Sequence, residues 1–306
     1  MLRALFIALS ENQTLRHLAE RTRIGQRLSK RFVAGMTVDE ALEATRAVNA
    51  LRMSVTIDNL GENVTNVEEA HASAKLYHEV LDEIAKRGLD ANVSMKLTHM
   101  GLDVDESLAY SIARELVAHA AKLGSFVRVD MEGSPYTQRT LDLVHSIHGE
   151  PGNAGVIGAV IQAYLLRSEK DVEALCADRI RIRLCKGAYK EPAEIAFQAK
   201  ADVDANFVKL MKIMLKSGVY HGIATHDPKM IEATKEFARG ENIAPESFEF
   251  QMLYGVRRDL QEGLVRDGWR MRVYIPFGTE WYPYLMRRLA ERPANAIFIL
   301  KNLFRR

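Results

Sequence analysis

Short apolar or alternating runs recur along the chain, and each is followed by an amphipathic stretch. Eight runs have the length and composition of β-strands, at residues 53–57, 93–97, 126–130, 156–162, 180–184, 222–225, 248–253 and 271–274. Helical spacing of apolar residues fills the segments at 67–86, 104–122, 139–147, 169–176, 194–217, 228–238 and 254–267. This alternation predicts parallel strands joined by right-handed crossovers.

Eight strand–helix units in about 250 residues have the size of an α/β fold of the (β/α)8 TIM type. The alternative is a doubly wound open sheet, which usually carries a glycine-rich first turn. The chain contains neither a GxGxxG sequence nor a P-loop, and the barrel is therefore favoured. We expect an N-terminal helical segment at residues 1–50 and a barrel at 51–306, in one domain.

The segment before the first strand has a helical pattern. Residues 1–10 follow amphipathic spacing without a cleavage site, residues 16–31 are basic, and Thr37 to Glu40 form a capping box that opens a helix to about residue 50. The chain has no run of about 18 apolar residues that could cross a bilayer. Residues 296–300 form an apolar run too short to span one, and we interpret it as a core or docking segment.

Composition limits the partners and the compartment. The 42 basic and 40 acidic residues leave a formal charge of +2 with no long basic run, which argues against nucleic acid as a partner. The two cysteines, Cys176 and Cys185, have neither metal-ligand spacing nor a disulfide framework. We therefore expect a reducing, cytoplasmic location and no metal site.

Polar residues share one face of several predicted strands, as Arg181 and Arg183 do between Ile180, Ile182 and Leu184. In a barrel this face points inward, where charges are costly unless they are paired or bind a ligand. For the lower residues we favour internal salt bridges, for example of Arg128 or Arg181 with Asp130 or Glu249, and we include Arg272 among them. At the C-terminal rim we favour function, for Lys96, Asp130, Gln162, Arg183, Lys186, Thr225, His226, Gln251 and Tyr274.

Two loops after strands add candidate chemistry. Gly187 permits a close approach of the backbone to a ligand, and Lys186 beside it supplies a positive charge. Asp227 is expected to cap a helix that Pro228 opens, which leaves Thr225 and His226 to face a phosphate or a ring. A hydrogen-bonded structural role for His226 is an equal alternative.

Near the C-terminus, a helix would place Tyr284, Arg287, Arg288 and Glu291 on one face. Adjacent arginines offer two planar donor forks that suit a carboxylate or a phosphate. A solvated surface stripe is the alternative interpretation. Glu291 either orients one of the cations or forms a surface ion pair.

The ordered series of motifs over roughly residues 50–300 resembles the flavin-dependent proline dehydrogenases of the compact, monofunctional bacterial type. The motifs that carry the resemblance are Arg183-x-x-Lys186-Gly187-Ala188-Tyr189-Lys190-Glu191-Pro192, Thr225-His226-Asp227, Phe248-Glu249-Phe250-Gln251-Met252-Leu253, Tyr274-Ile275-Pro276-Phe277-Gly278 and Tyr284-x-x-Arg287-Arg288-x-x-Glu291. The resemblance implies a distorted barrel that binds FAD at the strand C-termini, with the last helix as a lid over the substrate.

Matched position by position, the resemblance also implies residue roles. Lys96, Arg287 and Arg288 would hold the carboxylate of proline, Asp130 would fix this basic cluster, and Tyr274 would shape the substrate pocket. Arg183 would lie near flavin N5. Cofactor contacts would come from Met131, Gln162, Arg183, Lys186, Gly187, Ala188, Thr225, His226 and Gln251.

The implied reaction is oxidation of L-proline to 1-pyrroline-5-carboxylate, the first step of proline catabolism to glutamate, with hydride passing to flavin N5. The resemblance further implies reoxidation by a membrane quinone, peripheral contact at the inner face of the membrane, and pyrroline-5-carboxylate dehydrogenase as a next partner. Two other hypotheses remain from the residues alone. One is an aldolase-like lyase that forms a Schiff base on Lys96 or Lys186, and the other is a barrel that only binds anions.

Overall fold

The computed structural model describes residue 22, residue 29 and residues 31–61 and 63–291, the last five of these by their backbone. The predictions for residues 1–10 and 296–300, and most of that for 16–31, lie outside this range. The capping box is confirmed, since the Thr37 side chain accepts a hydrogen bond from the Glu40 amide and the Glu40 side chain accepts one in return.

Eight parallel strands form one closed barrel in chain order, which confirms the predicted fold. The strands are β1 Ser54–Asn59, β2 Ala91–Met95, β3 Val127–Val129, β4 Ile157–Gln162, β5 Arg181–Cys185, β6 His221–Ala224, β7 Phe248–Leu253 and β8 Met271–Phe277. The helices of the described residues are α1 Val38–Asn49, α2 Val67–Lys86, α3 Glu106–Lys122, α4 Ser134–His148, α5 Ser168–Ala177, α6 Lys200–Lys216, α7 Pro228–Gly240, α8 Arg258–Arg266 and α9 Trp281–Glu291.

Three helices begin four or more residues from their predicted starts, and one of them is α8, which begins at Arg258 instead of residue 254. Helix α6 begins at Lys200 instead of residue 194, because residues 195–197 pair with the loop after β4 through Leu166 N–Ile195 O (2.9 Å) and Phe197 N–Tyr164 O (2.8 Å). Helix α4 begins at Ser134 instead of residue 139. Its first amide donates to a Glu191 carboxylate oxygen at 2.7 Å, a contact between residues distant in sequence.

Strand parity separates the two faces of the barrel wall. The apolar parity, such as Val55 and Ile57 on β1, is buried beneath the helices. The inward parity carries the polar residues, and two of its positions are glycines. A Cβ on Gly158 would lie 2.7 Å from Arg128 Nη1, and one on Gly222 would lie 2.3 Å from Gln251 Nε2. The glycines therefore leave room for the long polar side chains inside the barrel.

Helix α9 packs at the C-terminal end of the barrel. Trp281, Tyr284 and Leu285 are buried in a small cluster that includes Phe32 and Leu60. The segment before α1 joins this region through two backbone hydrogen bonds, from the amide of residue 34 to the carbonyl of residue 276 and from the amide of residue 278 to the carbonyl of residue 35. Segments near both ends of the described chain therefore pack together in this region.

Candidate active site

A cavity of about 870 Å³ opens at the C-terminal ends of the strands. It is lined by all the predicted site residues whose side chains the structure describes, namely Lys96, Asp130, Met131, Gln162, Arg183, Lys186, Gly187, Ala188, Thr225, His226, Gln251 and Tyr274. Pro283 and Tyr284 of α9 line the same cavity. Arg287 and Arg288 belong to α9, but their side chains lie outside the described residues.

Asp130 accepts three hydrogen bonds at the end of β3. Its Oδ1 accepts from Arg183 Nη1 at 2.7 Å and from the Ser94 hydroxyl at 2.6 Å, and its Oδ2 accepts from the Tyr274 hydroxyl at 2.8 Å. Burial, with the charges of Asp130 and Asp58, raises the pKa of Tyr274 well above its usual value. The phenol therefore stays a donor, and Arg183 and Tyr274 are fixed around one carboxylate.

Below this layer, Glu249 joins the polar residues of the barrel interior. Arg272 Nε donates to its Oε1 at 2.6 Å, Gln251 Nε2 donates to the same oxygen at 2.6 Å, and the Tyr220 hydroxyl donates to Oε2 at 2.9 Å. Burial alone would raise the pKa of Glu249, but Arg272 and these hydrogen bonds bring it below its usual value. Gln251 also accepts from Arg183 Nε at 2.5 Å, which connects the two layers.

The expected internal salt bridges exist, with different partners from those suggested. Asp130 pairs with Arg183 and Glu249 pairs with Arg272. Arg128 instead donates to the carbonyl oxygens of Ala159 and Arg181, at 3.0 and 2.6 Å. Strand parity predicts which residues face inward, but the shear of the closed barrel decides which of them meet.

Lys186 and Gly187 follow β5 at the cavity wall. Lys186 Nζ forms ion pairs with Asp204 at 2.5 Å and with Asp227 at 2.7 Å. Gly187 has φ of +112°, and a Cβ there would lie 2.2 Å from the Tyr164 ring. A side chain at position 187 would therefore displace the loop, as expected for a backbone that lies close to other groups.

The predicted cap after β6 is confirmed, because Asp227 accepts from the Lys229 amide and Pro228 opens α7. Thr225 and His226 line the cavity but also make local hydrogen bonds. The Thr225 hydroxyl accepts from the Asp227 amide at 3.1 Å, and His226 Nε2 accepts from the Leu253 amide at 2.9 Å. This acceptor role puts the neutral ring proton on Nδ1, so the structural alternative for His226 is present beside the functional one.

The sequence patterns did not indicate two buried carboxylates at this end of the barrel, of which Asp58 lines the cavity. Asp58 is buried at the end of β1, where its Oδ2 lies 3.5 Å from Lys96 Nζ. Glu132 is buried after β3, and its carboxylate accepts from the amide and the hydroxyl of Thr98 at 3.1 and 2.6 Å. The inward parity of Ser54 and Thr56 would have indicated Asp58, but the predicted strand stopped at residue 57. No local pattern points to Glu132.

The donor set of the cavity fits a flavin dinucleotide. Arg183, Lys186 and the amides of Gln162 and Gln251 can donate hydrogen bonds, and phosphates and a flavin ring present mainly acceptors. Met131 and Met252 supply apolar lining. The volume lies within the range of cofactor pockets, about 300–1,000 Å³.

The described residues lack both a helix that could span a membrane and a cluster of metal-ligating side chains. No helix among them is long and apolar enough to cross a membrane. No group of three or more His, Cys, Asp or Glu side chains in this part of the chain is arranged to hold a metal ion.

Comparisons with known proteins identify the family of this chain. The sequence model described as proline dehydrogenase matches residues 41–301. Proline dehydrogenase 1 of Bacillus subtilis subsp. natto is 41% identical over 308 residues, covering 100% of both chains. Proline dehydrogenase of Deinococcus radiodurans is 39% identical over 281 residues, 91% of this chain and 90% of that protein.

A solved structure is similar over nearly the whole chain. It is the crystal structure of proline utilization A (PutA) from Bdellovibrio bacteriovorus inactivated by N-propargylglycine, with a TM-score of 0.86 and 27% identity. The match covers 99% of this chain but only 38% of the PutA chain.

Proposed function

This chain belongs to the proline dehydrogenase family, and from that premise we propose that its cavity binds FAD and oxidises L-proline to 1-pyrroline-5-carboxylate. The observation that carries the proposal is the convergence of Lys96, Asp130, Arg183 and Tyr274 in one cavity at the strand C-termini. The comparisons give no support to the lyase hypothesis. Moreover, Lys96 and Lys186 are both ion-paired, and neither lies in the apolar setting that suits a Schiff-base lysine.

Cofactor binding is proposed for the wall formed by β3 to β7. Arg183, Lys186 and the 187–188 backbone would meet the charged and polar parts of FAD, with Gln162, Thr225, His226 and Gln251 as hydrogen-bonding groups and Met131 as apolar lining. When bound, FAD supplies the acceptor for the two electrons that leave the carbon beside the ring nitrogen. Arg183 would stabilise negative charge that develops there.

Substrate binding is proposed for the side of the cavity that α9 covers. Lys96, Arg287 and Arg288 would hold the proline carboxylate, and Tyr274 would bound the ring. Asp130 would keep Arg183 and Tyr274 in place through its three hydrogen bonds. The ring nitrogen must lose a proton before its lone pair can assist oxidation, and closure of α9 would exclude water from the site.

Electron transfer out of the site is proposed to end on a quinone, with peripheral contact at the inner face of the membrane. Pyrroline-5-carboxylate dehydrogenase is the proposed next partner. The support for these three proposals is the family resemblance, since a family of flavin-dependent dehydrogenases must return its electrons to an acceptor.

The direct test is anaerobic addition of L-proline to the purified protein. We expect a yellow protein whose flavin absorbance is bleached by proline and restored by a water-soluble quinone. A colourless protein that becomes covalently labelled by substrate and borohydride would refute the proposal in favour of the lyase. Binding of small acids without turnover would refute it in favour of the anion-binding barrel.

A further inference from the structure

Two carboxylates line the same cavity in different surroundings. Asp130 accepts three hydrogen bonds of 2.6 to 2.8 Å, one of them from Arg183. Asp58, two strands away on β1, has longer contacts. Its Oδ1 accepts from the Tyr77 hydroxyl at 3.3 Å, and its Oδ2 lies 3.5 Å from Lys96 Nζ. Two acids whose environments differ in this way are suited to different tasks.

The titratable groups around Asp58 come from four parts of the barrel. Tyr77 reaches it from α2, Lys96 follows β2, Asp130 follows β3, and Tyr274 lies on β8. Burial raises the pKa of Asp58; the Lys96 charge opposes this effect, and the Asp130 charge adds to it. Asp58 is 1% exposed and still borders the cavity. Asp58 is therefore a buried carboxylate with a raised pKa that a cavity ligand can reach.

Binding of substrate would change this balance. In the described part of the chain, Lys96 is the cation within ion-pair distance of Asp58. A substrate carboxylate that engages Lys96 would neutralise part of the positive charge that lowers the pKa of Asp58. The proton affinity of Asp58 would then rise at the moment when a ring ammonium, which must lose a proton, arrives in the same cavity.

We propose that Asp58 is the proton acceptor of the substrate site and takes the proton that leaves the ring nitrogen of proline once the substrate carboxylate has engaged Lys96. This inference rests on the proposed function. In this step an N–H bond of the ammonium breaks, an O–H bond forms on the Asp58 carboxylate, and the electron pair stays on nitrogen. Nothing is oxidised or reduced in the step. The proton passes to solvent when the product leaves.

The first experiment compares wild type and Asp58→Asn by stopped-flow bleaching of the flavin with proline across pH. The amide is nearly isosteric but cannot accept the proton. We expect bleaching near neutral pH to slow by roughly 100-fold, the lower range for loss of a positioned base, and the difference to shrink as pH rises. Bleaching with the rate and pH profile of wild type would overturn the proposal.

The second experiment measures proton uptake without turnover. The ligand is a five-membered ring carboxylate with oxygen in place of the ring nitrogen, which brings no ammonium proton. We expect wild type to take up protons from a weakly buffered solution on binding this ligand, and Asp58→Asn to bind it with little uptake. Equal proton uptake by the two proteins would overturn the proposal. If Asp58 had only a structural role, its replacement would leave the number of protons taken up unchanged.

Tyr77→Phe provides a test that does not depend on the folding of the first variant. This variant removes a hydrogen bond that favours the charged form of Asp58, so the pKa of Asp58 should rise. In a plot of bleaching rate against pH, the increase in rate should then occur at higher pH. An unchanged pH profile would overturn the assignment.

Asp103→Asn and Tyr136→Phe are matched controls, since Tyr136 donates to exposed Asp103 at 2.8 Å outside the cavity. Wild-type protein that proline does not bleach would refute the proposed function itself, whereas equal uptake would refute Asp58 alone.

Discussion

At the scale of single residues, small and charged side chains alternate around the barrel interior, and this alternation gives the charged side chains room. Gly158 lies beside Arg128, and Gly222 lies between Arg183 and Glu249 in the strand register. Each buried cation can then reach a carboxylate or a carbonyl oxygen. Such contacts compensate most of the buried polar groups, as buried charges require, although Arg128 Nε has no hydrogen-bond partner among the described residues.

One buried histidine gives a pH prediction at this scale. His221 accepts from the Ile182 amide at 3.0 Å, and burial, with the charges of Arg128 and Arg181, lowers its pKa to about 3. In the unfolded chain a histidine binds its proton near pH 6.5. Between these values only the unfolded state is protonated, so the free energy of unfolding should fall as pH falls, by up to about 1.4 kcal/mol per pH unit.

His221→Asn tests this, because asparagine can still accept from the Ile182 amide but does not titrate. We expect the variant to be less stable. Its free energy of unfolding in urea should also depend less steeply on pH between about pH 4.5 and 6.5, because about one proton fewer is taken up on unfolding. His71→Asn, at an exposed position of α2, is the control. Parallel pH slopes for wild type and His221→Asn would contradict the prediction.

At the scale of elements, the loops that follow the strands must be held in place for the site to form. The loop after β5 is held to its surroundings by Glu191, whose carboxylate accepts from the amide and the hydroxyl of Ser134 at 2.7 and 2.6 Å. The same contact satisfies the first backbone amide of α4. One side chain therefore ties the proposed cofactor loop to the helix that follows β3.

Gly187→Ala should disturb this loop. The φ of +112° and the 2.2 Å approach to the Tyr164 ring leave no place for a methyl group. We expect flavin affinity to fall by at least about tenfold, equivalent to about 1.4 kcal/mol, measured by titration of apoprotein with FAD. The matched control is Gly218→Ala, where φ is +70° but no atom lies within 4 Å of the added methyl. That variant should lose a little stability and retain flavin affinity. Equal flavin affinity in both variants would contradict the loop assignment.

At the scale of the whole molecule, α9 completes the cavity. Its first turns line the mouth through Pro283 and Tyr284, and its buried face packs against the segment before α1 and the loop after β1. The proposed substrate side of the cavity therefore depends on residues from both ends of the described chain. This arrangement agrees with the proposed lid, since a helix packed over a cavity mouth can limit access of water.

Arg287→Met and Arg288→Met test the proposed carboxylate clamp on this helix. Loss of a charged hydrogen bond costs about 1.5–3 kcal/mol, so the KM for proline should rise by roughly 10- to 100-fold in each variant. Arg266→Met, at an exposed position in the last turn of α8, should leave KM unchanged. Steady-state kinetics with proline provides the measurement, and an unaltered KM in both α9 variants would remove the arginines from the clamp.

The sequence by itself determined the strand–helix alternation, the face of several strands that points inward and the order of the motifs, because these are periodic or local properties of the chain. The tertiary structure decided which ions pair. Asp130 meets Arg183 and Glu249 meets Arg272 because barrel closure sets the stagger between strands. It also decided that α4 begins at Ser134 and that Asp58 lies beside Lys96. These contacts join residues far apart in the chain, where no local pattern records which partner each will meet.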